Sequence, residues 1–487
     1  MNATSLKRAA LINFISKYTV VIIQILFTSV LARLLTPEDF GIVAVTTVFT
    51  TFFLMIADMG IGAAIIQNKS LTKQDVNHIF TFTIYFAVIL AVTFALFSVP
   101  LSYVYGNSVY ITIGAVLSVS LFFNALNIVP NALLLKDKRF AALGVRSIIV
   151  SIAAAALTIV LAVAGYKYYA IVYNSVFMAF FTFLWNILSV SVRPALKFNK
   201  ASIIKIKEFS TFQFLFNLVN YFSRNLDALL IGKFLGSVAL GYYDKGYRLM
   251  LYPLNILTGV ITPILLPILS EHQENKDYIY SQYMRIVKLL SLMGAFVSVF
   301  CFVSAKEIIT IMFGASWLAT VPAFKMLALS VWPQMVTSST GAIFQSLGST
   351  KLLFKTGVIN SLITVISICV GIWFKDIRDV ALCVSIAYTL HFFIAFFILV
   401  RYGFERRYTQ FLRQFFPDLL VFVLTFAGLL LSSFVKIDNV IFTALFMVMV
   451  AGIAFFVGLV ITNQISFLFS LGKSKRKDRI KQEYDPG

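Results

Sequence analysis

Apolar stretches of 18 or more residues, separated by short polar connections, recur along all 487 residues of the chain. A helix of that length crosses a hydrocarbon layer about 30 Å thick. Lipid offers no partner to an open backbone N–H, and no sustained period-2 alternation marks a strand barrel, so the stretches are read as helices. The expected spans are 9–34, 40–66, 78–99, 109–134, 141–165, 168–190, 208–234, 240–269, 283–304, 320–347, 352–374, 379–401, 415–435 and 440–462. The fold class is therefore all-α and integral to a membrane, with about fourteen transmembrane helices.

The connections alternate in charge. One set carries Lys7 and Arg8, Lys136 to Arg139, Arg193 to Lys207, Arg401 to Arg413 and the tail beginning Lys473-Ser-Lys-Arg-Lys, while the other holds few basic residues. Short cytoplasmic loops collect Lys and Arg, so an even helix count with both termini cytoplasmic fits this asymmetry. The basic tail then faces the anionic inner leaflet.

Composition narrows the function. The chain is 60% hydrophobic and 12% charged, against about 25% charged in soluble domains. Forty Lys and Arg against twenty Asp and Glu would suggest nucleic acid for a soluble protein, but here they sit between spans and no nucleic-acid partner is expected. Cys301, Cys369 and Cys383 form no paired motif, and His78, His272 and His391 are the whole imidazole supply, so neither a metal site nor a cofactor is expected. The apolar run from Ala9 to Leu35 is too long for a signal peptide and is read as a retained helix. No nucleotide-binding loop, zinc-protease or hydrolase-elbow motif occurs, and no long loop exists to hold a catalytic pair, so a transporter is expected rather than an enzyme.

Two segments repeat at a spacing of 200 residues. Leu31-Ala-Arg-Leu-Leu-Thr-Pro-Glu-Asp-Phe-Gly41 ends the first span and opens the second, and Ile231-Gly-Lys-Phe-Leu-Gly-Ser-Val-Ala-Leu-Gly241 does the same for the seventh and eighth. Repeated halves are a transporter signature, with substrate held between them. The expected domains are a lobe of six helices at 1–200, a second at 201–402, two additional helices at 403–471 and a basic cytoplasmic tail at 472–487.

Charges inside spans cost about 2.5–3.5 kcal/mol on insertion scales and so mark candidate sites. Lys17 and Asp58 lie at similar depth in the first two spans, as a neutralising pair or a working one. Arg224 and Asp227 share a face of the seventh span, and Asp244, Lys245 and Arg248 follow in the eighth. Arg146 stands about a turn into the fifth. Candidate hinges are Gly60, Gly62, Pro253, Pro263, Pro267 and Pro333. Tyr168, Tyr169, Trp317 and Trp373 fall at helix ends and are read as interfacial anchors.

Ser5-Leu-Lys-Arg8, the Leu31 to Gly41 segment and Asp58-Met-Gly-Ile-Gly-Ala-Ala-Ile-Ile-Gln67 together resemble the opening of Wzx-like polysaccharide-export flippases. These include colanic acid and teichuronic acid exporters of the multidrug/oligosaccharidyl-lipid/polysaccharide superfamily. Asn225-Leu-Asp-Ala-Leu-Leu-Ile-Gly232, Leu240-Gly-Tyr-Tyr243, Tyr247-Arg-Leu249 and Pro267-Ile-Leu-Ser270 extend the resemblance, with Asp244-Lys-Gly246 standing where the family often has Arg-Ala. The resemblance implies two six-helix lobes in a V around a central cavity. It also implies alternating-access export of an undecaprenyl-diphosphate-linked oligosaccharide across a bacterial cytoplasmic membrane, alongside polymerase and glycosyltransferase partners. Lys17, Arg146, Arg224, Lys245 and Arg248 are then candidates for the diphosphate or an acidic glycan. Asp58, Asp227 and Asp244 are candidates for ion pairing or for a coupling H+ or Na+. A cation-coupled multidrug exporter and an integral-membrane polymerase or ligase are the competing readings.

Overall fold

Thr36-Pro-Glu-Asp39 is a helix start written into sequence. Thr36 accepts the Asp39 N–H while the Asp39 carboxylate accepts the Thr36 N–H at 2.9 Å, and Pro37 fills the first turn where no N–H is required. Thr72 and Asp75 repeat the arrangement at the next long helix. These boxes are seen in a computed structural model that describes residues 3–68, 70–195, 199, 221, 225–270, 273, 275–435 and 437–467. Among the described residues there is no strand.

Eleven described helices are long and apolar enough to cross a membrane, or twelve if a pair bent by 41° counts as one span. The chain is an all-α, multi-pass membrane protein. The first unit comprises Met1–Asp244 with Lys375–Ile377, and the second Lys245–Phe374 with Arg378–Gly487. In the first lie α1 (Ala3–Leu34), α2 (Pro37–Asp58), α3 (Ile61–Gln67), α4 (Lys73–Tyr105), α5 (Val109–Lys136), α6 (Phe140–Val163) and α7 (Tyr168–Ser189). The second expected span is two helices, because Met59 and Gly60 both take left-handed conformations, with φ of 38° and 77°. The seventh expected span falls mostly outside the described residues, which take it up at 225–234. Its successor α8 (Ser237–Ser270) runs unbroken through Pro253, Pro263 and Pro267 and carries the chain into the second unit.

The repeated segments meet in space within the first unit. A Cβ added to Gly41 would lie 1.7 Å from the Ser237 carbonyl oxygen, and one added to Gly241 would lie 1.9 Å from that of Pro37. The starts of α2 and α8 thus touch backbone to backbone at equivalent positions. Tyr105 at the end of α4 donates to the Leu229 carbonyl at 3.2 Å, and Lys233 donates to that of Val104.

In the second unit follow α9 (Lys276–Val303), α10 (Ala305–Phe313), a tight turn at Ala315–Thr320, α11 (Val321–Leu329), α12 (Val331–Thr337), α13 (Thr340–Ser346), α14 (Thr350–Trp373), α15 (Ile377–Ile398), α16 (Tyr408–Arg413), α17 (Phe416–Ser432) and α18 (Val440–Ile461). The tenth expected span is the bent one, and Pro333 lies in the first turn after its break. Trp317 is not an interfacial anchor: it is fully buried, with its ring 5.7 Å from that of Phe313, because the chain folds back through α10. Trp373, at the end of α14, is 84% exposed.

Two charges hold the last helices to this unit. Asp418 on α17, 3% exposed, pairs with Lys288 on α9 and accepts from the Ser291 hydroxyl at 2.7 Å, which in turn accepts from the Trp332 indole at 3.1 Å. Breaking a buried pair on one side leaves an uncompensated charge, so Asp418→Ala is expected to cost about 3–5 kcal/mol, and Lys288→Met with Asp418→Leu to recover most of it. Melting in detergent measures both. At the Gly41 contact the obstacle is backbone, which cannot swing aside: Gly41→Ala is expected to cost about 1–3 kcal/mol. Gly452→Ala meets open space and should leave melting unchanged or slightly raised; equal losses at the two positions would refute the contact.

Candidate substrate site

Ser120, Asn124, Asn127 and Asn131 are spaced four, three and four apart on α5, which places them on one face of the helix. Amides within a span must find partners inside the protein. The stripe finds them on α6 and α7. The Ser120 hydroxyl donates to the Ser175 carbonyl at 3.0 Å, and Asn186, fully buried, donates to Asn127 at 2.8 Å and to Asn131 at 3.5 Å.

Arg146 joins this cluster from α6. Its guanidinium donates to the Asn186 side-chain carbonyl at 2.7 Å, to that of Asn131 at 3.3 Å and to the Ser147 hydroxyl at 3.4 Å. All three acceptors are neutral. Among the described residues no carboxylate forms an ion pair with Arg146, and its buried Nε has no hydrogen-bond partner. A guanidinium oriented by amides and lacking a counter-charge is suited to an incoming anion, above all a phosphate that takes two parallel N–H groups.

A cavity of about 320 Å³ lies among α2, α5 and α7, lined by Thr47, Thr50, Ser120, Asn124, Asn174 and Ser175 with apolar neighbours such as Leu54 and Met178. It shares the α5 stripe with the Arg146 cluster.

The other expected residues are placed elsewhere. Lys17 is exposed on α1, and no ion pair or hydrogen bond joins it to Asp58 among the described residues. Asp58 ends α2, and its carboxylate turns toward the start of α3, accepting the Gly62 N–H at 3.4 Å. A carboxylate at a helix N-terminus is stabilised by the free N–H groups there. Asp227 is buried and accepts from the Tyr243 hydroxyl at 2.9 Å and the Ala228 N–H at 2.8 Å. Arg224 lies outside the described residues. Asp244 is half-buried, Lys245 buried and Arg248 exposed. The asparagine stripe was not among the expected residues, which were charges, helix breakers and aromatics at helix ends; four amides and hydroxyls at helical spacing inside an apolar run were the available signal.

A family profile described as "Polysaccharide biosynthesis protein" matches residues 30–322, more than half of the chain. The chain belongs to that family. The matched segment contains α5, α6, α7 and the whole Arg146 cluster. Among curated relatives of this family member, the teichuronic acid biosynthesis protein TuaB of Bacillus subtilis strain 168 is 24% identical over 346 residues, covering 70% of this chain and 71% of its own. The lipopolysaccharide biosynthesis protein WzxC of Escherichia coli strain K12 is 20% identical over 398 residues, covering 79% and 78%. A solved structure of the lipid II flippase MurJ in an inward closed conformation superposes with a TM-score of 0.74 at 14% identity, covering 93% of this chain and 99% of that one. That likeness shows a shared fold.

If Arg146 faces a ligand rather than supporting the bundle, the family member does not need its charge to fold. Arg146→Gln, which keeps a donor for Asn186, is expected to melt at the same temperature or higher, because a desolvated charge is removed. Asn186→Leu strands several partners and should cost about 2–4 kcal/mol. A drop in melting temperature for Arg146→Gln as large as that for Asn186→Leu would assign the arginine a purely structural role.

Proposed function

We propose that this chain is a flippase that carries an oligosaccharide linked to a lipid diphosphate, undecaprenyl diphosphate in the resemblance, across the cytoplasmic membrane for surface polysaccharide synthesis. The family match, two relatives named for polysaccharide biosynthesis and the flippase fold support the class of cargo and the transport. One observation carries the site: the Arg146 guanidinium, held by Asn131 and Asn186 inside apolar helices, with no carboxylate paired to it among the described residues and its Nε without a partner. In lipid such a charge is costly unless it meets an anion in at least one stage of the cycle.

In this reading fourteen spans form two six-helix lobes, 1–200 and 201–402, followed by two further helices at 403–471 and the basic tail at 472–487, with both termini cytoplasmic. The charge alternation of the loops and the contact of Gly41 with the start of α8 at the repeat spacing support it. The site faces each side of the membrane in turn. Lys17, Arg224, Lys245 and Arg248 are further candidate contacts for the diphosphate, and Asp58, Asp227 and Asp244 are candidates for a coupling ion. Glycosyltransferases and a polymerase act before and after the step.

Replacing Arg146 with Gln in a strain lacking the native gene tests the proposal. Loss of a charge-assisted hydrogen bond, about 1.5–3 kcal/mol, predicts a drop in surface polysaccharide of about ten- to a hundred-fold at equal expression. Lipid-linked intermediates should accumulate on the cytoplasmic face. Normal export by the variant would remove Arg146 from the mechanism, and cation-dependent drug efflux with unaffected glycan would replace the flippase by a multidrug exporter.

A further inference from the structure

We infer that the cavity among α2, α5 and α7 is a subsite for an uncharged sugar of the cargo, which binds by donating its hydroxyl or acetamido hydrogens to the wall. The inference rests on the flippase reading and adds to it a division of labour within the first unit: anion at Arg146, sugar beside it.

The argument is a count of donors and acceptors. The Thr47 hydroxyl donates to the Val43 carbonyl at 2.7 Å, and the Thr50 hydroxyl to that of Thr46 at 2.8 Å. Ser120 spends its proton on the Ser175 carbonyl at 3.0 Å. The Asn124 amide nitrogen donates to the Ser120 carbonyl at 2.9 Å, and the Asn174 nitrogen donates to the Thr158 hydroxyl at 2.7 Å and to the Ala154 carbonyl at 3.3 Å. A main-chain carbonyl only accepts, so each amide is fixed with its NH2 toward the protein and its oxygen available to the cavity. The hydroxyl oxygens likewise keep lone pairs after their protons are spent.

These side chains therefore present acceptors, Thr51, Ser175 and Thr182 add hydroxyls that can also donate, and no ionisable side chain is part of the lining. A phosphate finds no cationic side chain in such a wall to compensate its charge. A sugar brings the complementary donors, and Leu54, Leu117 and Met178 suit the C–H face of a pyranose ring. At about 320 Å³ the space lies at the small end of ligand sites, fitting one or two rings. Asn124 and Asn131 are seven residues apart on α5, roughly 10 Å along the helix. The cavity thus lies at one end of the stripe and the Arg146 cluster at the other. An alkali cation also seeks oxygen acceptors, but it gathers five or six around a point, and here no carboxylate is present to compensate its charge.

The full-length protein in lipid nanodiscs decides the matter with two probes, farnesyl diphosphate and the same lipid bearing a single N-acetylglucosamine. Thr50→Val and Thr47→Val keep shape and remove an acceptor; each is expected to weaken the sugar-bearing probe about three- to tenfold and leave the bare diphosphate within twofold. Asn124→Leu serves as a second, harsher variant, with melting curves confirming that each protein is folded. Arg146→Gln should weaken both probes. If the threonine variants bind both probes like the native chain, the sugar subsite is overturned. It is equally overturned if sodium in place of potassium stabilises the native protein and the same variants abolish that response, which would make the cavity a cation site. Failure of Arg146→Gln to affect either probe counts against the diphosphate assignment alone, since the difference between probes still reads the cavity.

Discussion

Inside hydrocarbon a polar atom has no water to turn to, and this constraint orders the whole molecule. Most polar side chains in the helices spend their protons on the carbonyl three or four residues back, as Thr46, Thr50, Ser98 and Thr158 do. Where a group is too large or too charged for that, it must be met from another helix. Asp418 is met by Lys288 and Ser291, and Asn127 and Asn131 by Asn186. Arg146 is met only in part, since its Nε has no hydrogen-bond partner.

The eleven or twelve described spans were legible because nothing else in the sequence competes with an apolar run of that length. Helix ends follow from local chemistry: Thr36 and Asp39 open α2 with a capping box, and Gly60, read as a hinge candidate, marks the break before α3. The break of the tenth expected span was less legible, since Ser330 and Pro333 are compatible with a continuous kinked helix as well as with a bend of 41°. Trp317 looked like a residue at a helix end and proved to be core, because α10 returns the chain over it. Composition cannot report a fold-back of that kind.

The site was half legible. Arg146 stood out as a charge in an apolar run, but the residues that orient it are neutral, and a search for charge passes over them. Lys17 and Asp58 matched in depth, yet depth says nothing of the direction in which a side chain leaves its helix. Asp58 sits where α2 stops, and its carboxylate accepts from the Gly62 N–H at the start of α3. Asp227 likewise found a tyrosine and a main-chain N–H. Each acid was claimed by the nearest donor its own bend or neighbour supplied.

The approach of Gly41 to the start of α8 has a consequence for biogenesis. Its two sides are 200 residues apart in the chain, since 241 − 41 = 200. A ribosome adding about 5–20 residues per second delivers the second side roughly 10–40 s after the first. Throughout that interval the bare glycine notch on α2 is already in the bilayer with nothing to fill it except lipid. Insertion of this protein therefore includes a waiting period in which this joint is half-made, its α2 side synthesised and its α8 side not yet emerged.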